Sequence, residues 1–206
     1  NADVAMYRAK ADGRNSYRFY TADMNARAFE RLELEKKLRR ALERDEFVLH
    51  YQPKLDLRSG TVVGVEALLR WQHPQLGLVP PAEFIPTLED TGMIVPVGRW
   101  VLQEACRQAR SWRKAGLAHL EVAVNVSMHQ FRRDDVCAVV MDALSTYAMP
   151  PEKLELEITE SALMDDVGRA TGSLQRLKEH GVKVAIDDFG TGYSSLAYLK
   201  RFSIDT

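Results

Sequence analysis

The sequence is poor in cysteine, since Cys106 and Cys137 are the only two in 206 residues. Both lie in segments with helical spacing. Two isolated thiols argue against a disulfide framework and against a cysteine-based zinc site. They favour a protein of the reducing cytoplasm.

Long hydrophobic runs are also lacking. Neither a run of about 18 apolar residues nor a signal-peptide pattern is present, so we expect no membrane contact from this segment. Net charge is almost absent, because 28 Lys and Arg residues oppose 29 Asp and Glu residues. This balance gives no long-range attraction to polymeric nucleic acid or to an anionic membrane. The remaining composition, 46% hydrophobic and 28% charged, is typical of a globular protein.

The most informative stretch is residues 182–196, which reads VKVAIDDFGTGYSSL. A β-branched run ends on two adjacent carboxylates, Asp187 and Asp188, and a Gly-Thr-Gly loop follows them. The pattern predicts a helix that starts at Ser194 or Ser195. Two acids at the end of a buried strand are costly unless a cation or hydrogen bonds hold them. Strand ends of this kind carry the chemistry of many α/β folds.

The rest of the chain predicts an α/β architecture. A charged helix with apolar residues at helical spacing is expected over 25–44, followed by a β-hairpin of strands 47–57 and 61–71. Strands and helices then alternate, which indicates parallel βαβ units. The later predicted strands are 121–127, 154–159 and 183–186, and the later predicted helices are 81–91, 97–115, 134–147 and 165–180.

The predicted strands share a polar face. Because side chains alternate along a strand, residues two apart point the same way. One face of each strand is apolar. The other face has small side chains near the start of the strand and oxygen-bearing side chains near its end. The members of this second face are Gly64, Glu66, Leu68, Arg70, Ala123, Asn125, Ser127, Glu155, Glu157, Thr159, Ala185 and Asp187. Converging strands of this kind predict an oxygen-only cluster that suits Mg²⁺ or Mn²⁺.

These residues together resemble the EAL-domain family of cyclic di-GMP phosphodiesterases. The family's tripeptide is Glu66-Ala67-Leu68, within VEALLR. The other motifs follow in the family's order: YQP at 51–53, NVS at 125–127, EITE at 157–160 and DDFGTGYSSL at 187–196. The tripeptide alone is unspecific, but the ordered set is highly specific.

A second resemblance concerns the start of the chain. Residues 2–15 carry an AD-AMY-AK-GRN pattern that is similar to the last helix of a GGDEF (diguanylate cyclase) domain. We therefore expect a GGDEF remnant over 1–20, a connector helix over 21–46 and the EAL domain over 47–206. The chain begins at Asn1 and stops where a sixth barrel strand is expected, so both ends are predicted to be cut from a longer protein.

The EAL resemblance implies a TIM-like (β/α)₈ barrel with an antiparallel first strand, of which about five barrel strands are present. It also implies hydrolysis of cyclic di-GMP to linear pGpG with two Mg²⁺ or Mn²⁺ ions per site. By motif position, the implied metal ligands are Glu66, Asn125, Glu157, Asp187 and Asp188. Glu66, Asp187 and Asp188 would thereby serve catalysis directly, and Glu160 would position the loop after Asp188. Gln52, Leu68 and Arg70 correspond to substrate-binding positions.

Other interpretations stay open. The chain could be a non-catalytic cyclic di-GMP receptor, or the remnant could act only as a dimerisation scaffold, and a homodimer is a further expectation. Because the family's catalytic lysine would fall beyond Thr206, we expect this chain to be weak or inactive alone. His50 and His73 are candidate metal ligands or catalytic bases, but a single histidine is more often structural. Glu155 is interpreted as structural.

Overall fold

Residues 22–160, 167–188 and 204–205 are described by the structure, a computed structural model. Its helices are α1 (Ala22–Glu43), α2 (Pro81–Thr91), α3 (Ile94–Lys114), α4 (Met128–Arg133), α5 (Val136–Tyr147) and α6 (Val167–Glu179), with a 3₁₀ turn at Pro151–Lys153. Its strands are β1 (Phe47–Leu55), β2 (Val62–His73), β3 (Gly77–Val79), β4 (Glu121–Asn125), β5 (Leu154–Thr159) and β6 (Lys183–Asp187).

The strands form one mixed sheet in the order β1-β2-β4-β5-β6, and the short β3 pairs with the far end of β2. β1 and β2 are antiparallel, as the predicted hairpin requires, and β2, β4, β5 and β6 run parallel. Helices connect the parallel strands, because a parallel pair needs a long crossover. Over the described residues the sheet is open.

The apolar face of the sheet forms the core. Leu154, Leu156 and Ile158 of β5 are at most 1% exposed, and the equivalent residues of β4 are equally buried. α3 covers them through residues spaced about one turn apart, including Val97, Val101 and Ala105. Fully burying each large aliphatic side chain contributes roughly 1.5–3 kcal/mol, so this face holds the helices against the sheet. The opposite face is left for polar residues, as the alternation predicts.

α1 packs on this core through its second half. Leu38 and Ala41 are fully buried, and Arg31 makes an ion pair of 2.5 Å with Asp90 of α2. Phe29, nearer the start of the helix, is 65% exposed. The expected helix is thus present, and its role as a connector stays a prediction. Within the described residues, the structure contains no helix both long enough and apolar enough to cross a membrane.

The structure corrects the prediction between residues 121 and 147. The sequence predicts a strand to Ser127 and one helix over 134–147, but β4 ends at Asn125 and two helices follow. Ser127 and Gln130 form a capping box that starts α4, and the Asp135 carboxylate caps α5 by accepting from Ala138 N. A capping box satisfies backbone donors that the first turn of a helix would otherwise leave unpaired, so it favours the start of α4 at this point. The short strand β3 was also not predicted.

Several predictions fall on residues outside those described. They concern the segment 1–20, the loop and helix after Asp188, and most of the further barrel strand that is expected to follow β6. Ile204 and Asp205 are described. The backbone N of Asp205 donates to Val184 O at 2.9 Å, and its carboxylate accepts from Val184 N at 3.0 Å. This places residue 205 beside β6, on the side away from β5.

Candidate functional site

The site begins at the contact between β2 and β4. Gly64 is in register with Glu121, and a Cβ at Gly64 would lie 2.9 Å from the Glu121 carbonyl oxygen. Glycine therefore allows these strands their close approach. Two residues farther along β2 is Glu66, whose Oε1 accepts a hydrogen bond from Asn125 Nδ2 at 2.8 Å. The structure thus brings together two of the predicted ligands.

Asn125 is positioned by the start of α4. Ser127, two residues later, accepts from His129 N, and its own backbone N donates to the side chain of buried Gln130. The Ser127 hydroxyl donates to Glu89 of α2 at 2.7 Å. These bonds fix the chain directly after Asn125, so that its amide stays at the strand end.

Glu157 on β5 is in register with Asn125 and is 8% exposed. Its carboxylate accepts from Lys54 Nζ at 2.5 Å, and the same ammonium donates to Glu155 at 2.7 Å. Burial raises the pKa of Glu157, and the Lys54 hydrogen bond only partly offsets it. Partial burial alone would lower the pKa of Lys54, but its hydrogen bonds to the two glutamates raise it overall.

Asp187 ends β6, in register with Thr159 of β5. Its Oδ1 accepts from the backbone N of Asp188, whose φ of 54° lies in the left-handed region that Asp tolerates. Both carboxylates are exposed. Glu160 is 1% exposed, directly after β5. The loop it is predicted to position lies outside the described residues.

The four predicted ligands on strands form a staircase across one face. Glu66 is in register with Ala123, Asn125 with Glu157, and Asp187 with a residue two beyond Glu157, on four strands that are neighbours in the sheet. Asn125, Glu157 and Asp187 therefore lie at, or within two residues of, the carboxyl ends of β4, β5 and β6, and Glu66, which lies inside the longer β2, is bonded to Asn125 at that end. This is the end of a parallel sheet at which ligands bind.

A cavity of about 530 Å³ adjoins this staircase, and its walls include Leu68, Arg70, Asn125 and Glu157. Its volume falls in the range of ligand sites. Arg70 donates to the Leu69 carbonyl oxygen at 2.9 Å. Gln52 on β1 is exposed and in register with Glu66, so it faces the same side of the sheet. All three predicted substrate-binding residues thus lie beside the predicted ligands.

The donor set fits a hard divalent cation, because it contains only carboxylate and amide oxygens. The Lys54 ammonium, in contact with Glu157, shows that a positive charge is accommodated there. Among the residues that the structure describes, no three His, Cys, Asp or Glu side chains form a group that could hold a metal ion. The metal-ligand assignment therefore stays a prediction.

The two candidate histidines differ in their surroundings. His73 is 6% exposed, and its Nδ1 accepts from the backbone N of Gln75 and of Leu76, so it shapes the turn between β2 and β3. His50 is exposed on β1. The structural interpretation of His73 is correct.

Sequence reasoning missed Lys54. It lies two residues after Gln52 and so shares its face, which was the available signal. Its partners are more than a hundred residues away along the chain, and alternation within one strand cannot identify them.

Comparison with known proteins identifies the family. An EAL domain model matches residues 35–206. The chain belongs to the EAL-domain family. It is 52% identical over 201 residues to the bifunctional diguanylate cyclase/cyclic di-GMP phosphodiesterase MucR of Pseudomonas aeruginosa, a match over 98% of this chain and 29% of MucR. It is 44% identical over 205 residues to the cyclic di-GMP phosphodiesterase PdeR of Escherichia coli, covering 100% of this chain and 31% of PdeR. The EAL chain thus spans about a third or less of these relatives' length.

Solved structures give the same family. A PaMucR phosphodiesterase in complex with c-di-GMP is 50% identical with a TM-score of 0.80, over 84% of this chain and 70% of that one. The FimX EAL domain of Pseudomonas aeruginosa bound to c-di-GMP is 27% identical with a TM-score of 0.74, over 84% and 69%. The EAL fold is a TIM-like barrel, so the predicted fold class is confirmed, and the described residues form an open part of that architecture.

Proposed function

We propose that this EAL domain hydrolyses one phosphodiester bond of cyclic di-GMP and releases linear pGpG. The observation that carries the proposal is the staircase of Glu66, Asn125, Glu157 and Asp187 on one face of four neighbouring strands, in which Glu66 is bonded to Asn125 at the end of β4. The relatives named as cyclic di-GMP phosphodiesterases support it, as does the cavity beside Arg70.

In this proposal, Glu66, Asn125, Glu157, Asp187 and Asp188 hold two Mg²⁺ or Mn²⁺ ions. Bound divalent cations would supply an activated water and neutralise charge that develops on the phosphate. The chain's own part is to keep these oxygens in place. Asn125 and Glu66 restrain each other, and the buried backbone of β5 fixes Glu157.

Substrate binding is assigned to Arg70, Gln52 and Leu68. The Arg70 guanidinium can bond a phosphate in a bidentate manner, which orients the scissile bond. Leu68 lines the cavity and offers an apolar surface, whereas exposed Gln52 offers an amide. Glu160 is assigned the positioning of the loop that follows Asp188.

The domain division is also proposed as the sequence suggests it, with a GGDEF remnant over 1–20, a connector helix over 21–46 and the EAL domain over 47–206. MucR, which is named as a diguanylate cyclase as well as a phosphodiesterase, matches 98% of the chain and so supports the first assignment. A cytoplasmic location and a homodimer belong to the same proposal.

A second candidate function is that of a cyclic di-GMP receptor without turnover. The FimX EAL domain bound to c-di-GMP is compatible with this candidate, but the PaMucR phosphodiesterase in complex with c-di-GMP shows that binding alone does not distinguish it from the enzyme. The ligand staircase favours the enzyme, since a receptor has no need of a metal site.

The test follows cyclic di-GMP binding and pGpG release with Mg²⁺ or Mn²⁺, using this chain and the longest natural chain that contains it. We expect Glu66→Gln and Asp187→Asn to lower pGpG release by about 100-fold or more. The control is Glu152→Gln, which changes an exposed glutamate away from the staircase. Saturable binding without pGpG would favour the receptor, and full activity in Glu66→Gln would refute the site.

A further inference from the structure

Lys54 crosses the polar face of the sheet. It lies on β1, whereas its partners Glu155 and Glu157 lie on β5, three strand positions away in the order β1-β2-β4-β5. On a flat sheet three steps measure about 14 Å, and side chains that stand perpendicular to the sheet would not meet across this distance. The sheet is therefore strongly curved toward this face, and the Lys54 side chain lies across its concave side.

The path of Lys54 is lined by small residues. Lys54 is in register with Gly64 of β2, which has no side chain, and Ala123 of β4 stands between Glu66 and Glu155 in register. Larger residues at these two places would occupy the space that the lysine crosses. The small residues on this face thus serve the ion pair as well as strand packing.

The Lys54 ammonium contacts two carboxylates. One ammonium serves two carboxylates whose side chains are only 12% and 11% exposed, for Glu155 and Glu157 respectively. A buried carboxylate is costly without a partner, so removing the lysine leaves both acids without this compensation. The contact of 2.5 Å to Glu157 and that of 2.7 Å to Glu155 show that Lys54 is shared between them.

We propose that Lys54 is a positioning residue that provides an internal countercharge for Glu157, with Glu155 as its second anchor. When Glu157 turns to a divalent cation, the ammonium remains held by Glu155 and does not have to leave the sheet. This inference rests on the proposed function, in which Glu157 is a metal ligand.

A purely structural ion pair makes a different prediction. It would change stability when broken, but the affinity for a divalent cation would follow only the general loss of a nearby charge. Loss of a charge alone would also move the cation affinity in opposite directions for Lys54 and Glu155. The proposal requires in addition that the effect of Lys54 exceed that of an equivalent lysine, and that the effect of Glu155 pass through Lys54.

The test measures Mn²⁺ affinity without substrate, by calorimetry or by the electron paramagnetic resonance of free Mn²⁺, on the longest natural chain that contains these residues. Lys54→Met should bind Mn²⁺ about fivefold more tightly, because the competing ammonium is gone. Glu155→Gln should bind it about fivefold more weakly, because Lys54 then rests on Glu157 alone. Lys54→Arg, which keeps the charge, should stay near the wild type.

Lys183→Met is the matched control. Lys183 is also 37% exposed and pairs with Glu121 on the same sheet at 2.7 Å, so it reports the general loss of one positive charge. The double variant Lys54→Met/Glu155→Gln completes a cycle in which Glu155→Gln should lose most of its effect. Lys54→Gln replaces Lys54→Met if the latter does not fold.

Two failures can be told apart. If the wild type binds no Mn²⁺ and releases no pGpG, the proposed function itself fails. If the wild type binds Mn²⁺ but Lys54→Met matches Lys183→Met, or if Glu155→Gln keeps its full effect in the double variant, only the role of Lys54 is overturned.

Discussion

Gly64 offers a test of how the candidate site is assembled. A Cβ at this position would lie 2.9 Å from the backbone oxygen of Glu121 and 3.3 Å from its Cβ. Ordinary contact begins at 3.4 Å, so β2 and β4 would have to separate by about 0.5 Å. The obstacle is backbone in a parallel pair, which cannot turn aside as a flexible side chain can.

We expect Gly64→Ala to lower the free energy of unfolding by about 1–3 kcal/mol, the usual cost of overpacking. Glu66, which is bonded to Asn125, lies two residues beyond Gly64 on β2. Under the proposed function, pGpG release by the longest natural chain that contains this domain should therefore fall as well. Urea-induced unfolding followed by circular dichroism measures the change in the free energy of unfolding. An unchanged slope of this free energy against urea concentration would show that the unfolded state is unaffected.

Gly172→Ala is the control for this substitution. Gly172 is exposed in α6 and an added Cβ meets nothing within 4 Å, so alanine should stabilise the protein by up to about 1 kcal/mol through helix propensity. The two identical substitutions should thus have opposite signs. A Gly64→Ala variant as stable as the wild type would refute the close approach of β2 and β4.

Two further predictions concern groups away from the site. The hydroxyl of Tyr51 is buried and has no hydrogen-bond partner among the described residues, so Tyr51→Phe should raise the free energy of unfolding by about 1 kcal/mol in a urea titration. Arg99 holds the Asp134 carboxylate through two hydrogen bonds of 2.6 Å and lowers its pKa below 3.8. The stability from this pair is therefore present above pH 3.8 and is lost as pH falls through the lower pKa of the folded state. The stability difference between the wild type and Arg99→Ala should shrink in that acidic window, and a constant difference would contradict the assignment.

The sequence predicts the polar face well because alternation along a strand is a local property. Glu66, Asn125, Glu157 and Asp187 could each be assigned to the same side of the sheet from their neighbours two residues away. The register between strands is not local. The pairing of separate strands places Asn125 beside Glu66. It also places Glu157, and not Glu155, in register with Asn125.

The wrong end of the predicted strand 121–127 has its cause in the hydrogen bonds that start α4. Residues 125–127 continue the alternating pattern of the strand, yet Ser127 and Gln130 cap a helix, and the cap satisfies backbone donors of its first turn. The alternation signal was real, but it could not show where pairing with the next strand stops. The capping pair S-x-x-Q was the local clue to the start of α4.

Glu157 connects the stability of the fold with its proposed chemistry. As a residue of β5 it is 8% exposed between two fully buried neighbours, and burial raises its pKa, which opposes the charged form that a ligand requires. A fixed countercharge that neutralised Glu157 completely would remove this cost but would also block the carboxylate. Lys54 avoids both extremes because it divides its ammonium between Glu157 and Glu155. Sharing one lysine between two acids compensates the buried carboxylate of Glu157 while no cation is bound, and it still leaves that carboxylate able to exchange the ammonium for a cation.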